Sequence, residues 1–164
     1  MANGLILLAK DTFSAVSSVS FDNVFSNTYN QYKIIVNAKT SSVGDGMAVR
    51  LRVGGSDNST SNYVRQYLWG TSTSAVAALA SSQNTWRFAG FGTTENITIF
   101  ELANPYQTEH TTAICNTLNA PSGNIELFNW SWGFNGTTSF DGLTFLGESS
   151  ATLTGSVAIY GLAK

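Results

Sequence analysis

The stretch Phe128-Asn129-Trp130-Ser131-Trp132-Gly133-Phe134 constrains the fold more than any other part of the chain. Large aromatics occupy every second position, and small or polar residues fill the gaps. A period of two belongs to a β-strand, whose alternate side chains point to opposite faces. A helix would scatter the same four rings around its circumference. Four bulky rings on one strand face are how a sandwich fills the ~10 Å gap between its two sheets. Core or subunit interface is therefore the expected place for Phe128, Trp130, Trp132 and Phe134. Stacking on sugar rings is the other use of such a stripe, with Trp130 and Trp132 as platforms.

The same period recurs along the chain. In Gly46–Gly54, Met47, Val49, Leu51 and Val53 point one way and Ala48, Arg50 and Arg52 the other. Further strands are predicted near Gly4–Lys10, Val16–Phe21, Gln31–Thr40, Asn62–Trp69, Thr85–Phe91, Asn96–Leu102, Thr111–Leu118, Asp141–Leu146 and Leu153–Gly161. Turn residues fill the intervals, at Gly44-Asp45-Gly46, Gly54 to Asn58, Asn104-Pro105, Pro121 to Asn124 and Asn135-Gly136. Only Ser74–Ala80 suggests a helical turn, with Ser74 as its cap. Short strands without a helical period predict an all-β, antiparallel β-sandwich of jelly-roll type with about eight to ten strands. No composition shift or internal repeat divides the 164 residues, so residues 1–164 are read as a single domain.

Two segments exceed what a free sandwich requires. Leu5-Ile6-Leu7-Leu8 and Ile34-Ile35-Val36 are apolar on both strand faces. Strands greasy on both sides need a second covering, from another sheet or a neighbouring subunit. The expectation is an oligomer.

Charge excludes two classes of partner. Eight Lys and Arg against ten Asp and Glu give a net charge of −2, and no basic run occurs. Phosphate neutralisation needs a positive footprint, so neither nucleic acid nor an anionic membrane is an expected partner. The apolar run Leu5 to Ala9 is far short of a membrane span and lacks the flanks of a secretory signal. Charged residues are only 11% of the chain, while Asn, Ser and Thr make up about a third. The lone Cys115 cannot form an internal disulfide.

Catalytic chemistry finds little support. His110 and Cys115 are the sole histidine and cysteine. Cys115 reads as a small buried hydrophobe in mid-strand and His110 as part of a polar connection. One His and one Cys cannot close a zinc site. Asp45, Asp57 and Asp141 lie in Gly-rich turns, but no calcium-loop spacing joins them. No dinucleotide, P-loop or nucleophile-elbow pattern occurs. The chain is read as a non-enzyme without cofactor or metal. The sequons at Asn58, Asn96, Asn129 and Asn135 are the chance yield of an Asn/Ser/Thr-rich chain.

Residue chemistry points instead to contact surfaces. Tyr63, Arg65, Tyr67 and Trp69 share one strand face, and Tyr, Trp and Arg are the residues that anchor interfaces. Arg50 and Arg52 project together from another strand, either to meet a partner's carboxylates or to solvate an outer sheet. Leu5, Ile6 and Leu7 complete the candidate contact residues.

Two stretches carry a resemblance. Gly4-Leu5-Ile6-Leu7-Leu8, then Ser17-Ser18-Val19-Ser20-Phe21-Asp22-Asn23-Val24-Phe25 and Tyr29-Asn30-Gln31-Tyr32-Lys33-Ile34-Ile35-Val36, resemble small virion proteins of tailed bacteriophages. Asp141-Gly142-Leu143, leading through Thr152–Val157 to Ile159-Tyr160-Gly161-Leu162, is similar to the way those proteins end. The resemblance spans about the first 40 and last 25 residues and includes no catalytic signature. It implies a homotrimeric structural subunit on the outer surface of the capsid, made in the host cytoplasm. A capsid decoration (cement) protein bound to the major capsid protein and to copies of itself is the first expectation. The alternative is a head- or tail-fibre module binding host-surface glycan through Trp69 or the Trp130/Trp132 pair.

Overall fold

The computed structural model describes residues 4–43, 45–71, 73–90, 92–120 and 125–163. Gly44 and the turn expected at Pro121 to Asn124 lie outside them. Thirteen strands form among the described residues: β1 (Leu5–Val16), β2 (Ser18–Phe21), β3 (Gln31–Thr40), β4 (Gly46–Val53), β5 (Ser56–Asp57), β6 (Tyr63–Thr71), β7 (Ser74–Gln83), β8 (Trp86–Gly90), β9 (Asn96–Ala103), β10 (Thr111–Asn119), β11 (Glu126–Phe134), β12 (Gly142–Gly147) and β13 (Leu153–Leu162). They build an antiparallel sandwich of two unequal sheets. The larger runs β1-β13-β3-β9-β10-β11-β6-β7, and the smaller β2-β12-β4 with β5 and β8 both pairing β4.

The ribbons that pass from one sheet to the other include β1 into β2, β3 into β4, and β12 into β13. Their neighbour order is kept on both sides, β1-β13-β3 in one sheet and β2-β12-β4 in the other. This is the winding of a jelly roll. The strand total exceeds the expected eight to ten, and the two strands not expected at all are β5 and β7. Asp57 draws the Gly54–Asn58 turn into a two-residue strand against Arg52. Ser74–Ala80 is a strand rather than a helical turn. Its pairing with β6 from Tyr63 to Thr71 overrides the helical leaning of its alanines.

One row of side chains crosses the whole larger sheet on its inner face. It runs Ala9, Ile159, Ile34, Phe100, Cys115, Trp130, Tyr67, Ala78, each opposite the next. The stripe read from the sequence lies in this layer, with Phe128, Trp130, Trp132 and Phe134 all buried. From the smaller sheet Trp86, Phe88, Phe145, Met47, Val49 and Leu51 meet it. Trp86 and Trp132 stack at 5.5 Å between ring centres, and the Trp86 indole N–H donates to the Gly133 carbonyl at 3.0 Å. Tyr63 is sealed between the sheets. Its hydroxyl accepts from the Leu51 N–H at 3.0 Å and donates to the Asn58 carbonyl at 2.8 Å. Val53 departs from the expected inward set and is exposed, because β4 is leaving the sandwich for the turn to β5.

Gly155 allows β13 to lie flat against β3. Its φ is +154°, and a β-carbon there would sit 2.2 Å from the Asn37 carbonyl oxygen. Replacement by Val is expected to destabilise the fold by at least about 2 kcal/mol, seen as a lowered midpoint in thermal or urea unfolding. Val49→Asp places an unpaired charge in the aromatic layer. It is expected to cost at least about 4 kcal/mol and to leave the chain unfolded by circular dichroism.

Candidate functional site: an apolar sheet face

The sandwich consumes only the inner face of the larger sheet. Its outer face is also rich in large apolar side chains. Ile97, Leu118 and Leu127 occupy one register row on β9, β10 and β11, and Leu68 lies diagonally beyond Leu127 on β6. Ile114 stands exposed on β10, between Glu101 and Ser131. At the opposite edge Leu5 pairs with Leu162 and Leu7 with Tyr160. All these leucines and isoleucines are exposed, Ile114 at 57% and Leu7 at 53%. Between the two groups lies a groove of about 650 Å³ whose lining includes Leu5, Gln31, Lys33, Glu101, Ile114 and Leu162. The ion pair Lys33–Glu101, 3.5 Å apart and exposed, lies along it. Such a pair contributes little to stability, and it sets one charge of each sign in an otherwise uncharged stretch of the groove.

The contact residues expected from the sequence divide among three places. Leu5 and Leu7 belong to this outer face, whereas Ile6 pairs with Gly161 and is half-buried. Arg50 and Arg52 lie across the sandwich, on the outer face of the smaller sheet. Arg52 is not free for a partner. Its guanidinium pairs with Asp22 at 2.7 Å and with Asp57, and donates to the Thr144 hydroxyl at 2.8 Å and to the Gly55 carbonyl. Thr144 in turn donates to Asp57 at 2.6 Å. The arginine thus clamps β5 and the end of β2 onto β4 and β12. Burial opposes its charge, yet the two aspartates hold its pKa above the ordinary arginine value. Arg50 donates through Nε to the Asn84 carbonyl at 3.2 Å and lines a polar hollow with Arg87, Glu148 and Asp45. The Arg87–Glu148 pair closes that hollow at 2.6 Å.

The third place corrects the reading of Tyr63, Arg65, Tyr67 and Trp69 as a surface stripe. The four do share a face, but it is the inner one, opposite Phe134, Trp132, Trp130 and Phe128 respectively. Tyr63 is fully buried. Arg65, Tyr67 and Trp69 are half-buried where the larger sheet outruns the smaller. Trp69 stacks on Phe128 at 5.4 Å, and Tyr67 lies 4.6 Å from Trp130. Burial and the nearby Arg87 charge lower the pKa of Arg65. Trp130 and Trp132 lie within the core, so neither is a platform for a sugar ring.

His110 and Cys115 do not meet. Five residues of extended strand separate them by ~16 Å, and His110 Nδ1 lies 3.2 Å from the Phe134 carbonyl oxygen. Burial pushes the Cys115 thiol far above its usual pKa. Among the described residues no three His, Cys, Asp or Glu side chains converge on a metal-sized site.

The outer-face residues Ile97, Ile114, Leu118 and Leu127 were missed as a set. Their signal lay in β10, where Ile114 and Leu118 stand on the phase opposite to Ala113, Cys115 and Thr117. No family model matches the chain, and no curated protein matches it. Among solved structures it is similar to the lectin UEA-II complexed with galactose, at 9% identity over 94% of this chain and 91% of the lectin, with a TM-score of 0.29. A protein of unknown function, SO2946 from Shewanella oneidensis MR-1, shares 6% identity over 97% of this chain and 78% of its own, with a TM-score of 0.30.

Arg52→Ala leaves Asp22 and Asp57 without their cation. It is expected to destabilise the chain by about 3 kcal/mol, with Arg52→Lys recovering only part, measured by urea unfolding.

Proposed function

We propose that the chain is a structural protein of a tailed-phage virion, a capsid decoration (cement) subunit that acts by burying apolar sheet surface. The observation that carries this reading is the exposed outer face of the larger sheet. Eight strands at ~4.8 Å spacing and seven residues at ~3.3 Å rise give roughly 900 Å² of projected sheet. A standard interface takes about 800 Å² from each partner. Exposed apolar patches beyond about 400 Å² mark interaction surfaces in soluble proteins. Here the apolar residues are interspersed with hydroxyl and amide side chains and interrupted by the Lys33–Glu101 pair, with Lys10 and Lys39 toward the β1 side of the face. Its partners in this reading are the major capsid protein and copies of this chain, in the trimer that the family resemblance implies. Bridging neighbouring capsomers requires no catalysis. Repetition over a symmetric lattice multiplies each modest contact into a stable shell.

A second reading, a fibre module that binds host-surface glycan, rests on Trp69 alone. Its ring is half-exposed on the stack with Phe128, and its Nε1 is enclosed without a hydrogen-bond partner.

Stoichiometry separates the two. Densitometry of purified particles is expected to give hundreds of copies per virion; a handful would favour the fibre module. Ile114→Glu with Leu118→Glu is expected to leave the unfolding midpoint nearly unchanged and to lower attachment to capsids lacking the protein at least tenfold. Unchanged attachment sinks the cement reading through this face. Glycan-array binding lost on Trp69→Ala supports the fibre reading.

A further inference from the structure

The two edges of the larger sheet are built differently. An edge strand presents unpaired N–H and C=O groups that will accept another strand unless the chain prevents it. At one edge β1 carries Lys10 and Asp11 mid-strand, and its register is broken between Leu7 and Ala9 and again between Phe13 and Val16. These are devices that discourage pairing. At the other edge β7, Ser74-Ala75-Val76-Ala77-Ala78-Leu79-Ala80-Ser81-Ser82-Gln83, has no charge and no proline. The uncharged stretch runs from Gln66 to Trp86 and takes in all of β7; the one charge of the β6–β7 hairpin is Arg65, one strand inside the edge and opposite Ala80. Pairing with β6 is regular from Ser74 to Ala80, and the irregularity is confined to the far end. Most of β7 is exposed on both faces, with Leu79 at 66%.

We propose that β7 pairs antiparallel with β7 of a second copy, joining two eight-stranded sheets across a twofold axis. Neutrality admits a copy of this chain as the occupant, and the self-complementary register described below favours it. A twofold axis brings the residues around it against their own symmetry mates, so charges of one sign near the axis would repel. This edge has none. Symmetry also limits the register, because opposed residues in an antiparallel pair lie on the same face. With Ala78 on the axis, inner residues meet inner ones and Ser74 to Ser82 all engage. Ala77 then opposes Leu79 of the other copy on the outer face, and Val76 opposes Ala80 on the inner face, small against large in both. Ser82, with a left-handed φ of 55°, ends the seam. The inference is independent of the virion role. A twofold seam cannot lie within a threefold ring, so it links trimers wherever trimers form.

Light scattering of the purified full-length chain tests it, together with hydrogen exchange of the β7 amides. An even-numbered assembly is expected, with protection at the alternate amides that face away from β6. Ala77→Lys combined with Leu79→Lys sets lysines against lysines across the axis; it is expected to halve the mass and remove that protection while leaving the unfolding midpoint of the subunit in place. Ala77→Lys combined with Leu79→Glu sets opposite charges together and is expected to restore both. A monomer or an isolated trimer in the wild-type chain overturns the proposal, and a partner strand from another protein would then be the occupant of β7. An even assembly that survives the double lysine also overturns it, and failure of the Lys/Glu variant overturns this register.

Discussion

The contact between Trp86 and Trp132 holds the two sheets at their spacing. One ring comes from the smaller sheet and one from the larger, stacked nearly parallel, and the indole N–H of the first is satisfied by a carbonyl on the strand of the second. The N–H of a buried indole pays a desolvation penalty unless it finds an acceptor. For Trp86 that acceptor is the Gly133 carbonyl, which ties β8 to β11 across the gap between the sheets. Phe88, Phe100 and Phe145 then close around the pair at ring-centre distances between 5.3 and 6.3 Å. A core made of rings tolerates little sliding, because edge and face contacts have preferred geometries. The other features of the molecule are arranged around this layer.

The unequal width of the sheets follows from the same layer. The smaller sheet covers the middle of the larger one, and β6 and β7 extend past it, leaving Tyr67 and Trp69 half-covered and β7 open on both sides. Among the described residues no third layer covers the outer face of the larger sheet. In a chain with so few charges, hydroxyls and amides are left to keep that face in water. Thr112, Asn116, Asn129 and Ser131 alternate with Ile114, Leu118 and Leu127 there. The face is wettable enough for a free chain and apolar enough to gain by being covered. This balance is what the proposed attachment role draws on.

Much of the fold was legible because β-strands write their geometry into alternate residues. In β10 and β11 the alternation is nearly complete, and every aromatic of Phe128 to Phe134 lies where its phase predicts. Phase alone does not say which side faces inward. Tyr63 to Trp69 alternate just as cleanly, and their Arg and Tyr content suggested water, yet they oppose the four core aromatics of β11. The neighbour across the ladder decides, and it is about 65 residues away in sequence. Arg52 was opaque for a related reason, since one of its two carboxylates arrives from the far end of β2. Ser74–Gln83 misled through composition, because alanine favours helices and only the hairpin partner makes a strand of it. The function was the least legible part. An attachment surface has no spacing rule comparable to that of a metal or a catalytic pair.

The pairing of Leu5 with Leu162 sets the start of β1 beside the end of β13 at one corner of the larger sheet. The first and last strands of the sandwich are thus laced to each other as well as to the core, β1 through β13 and β13 through β3. Peeling either strand away uncovers the other, so this corner is expected to open as one unit, at the side of the sheet away from the β7 edge.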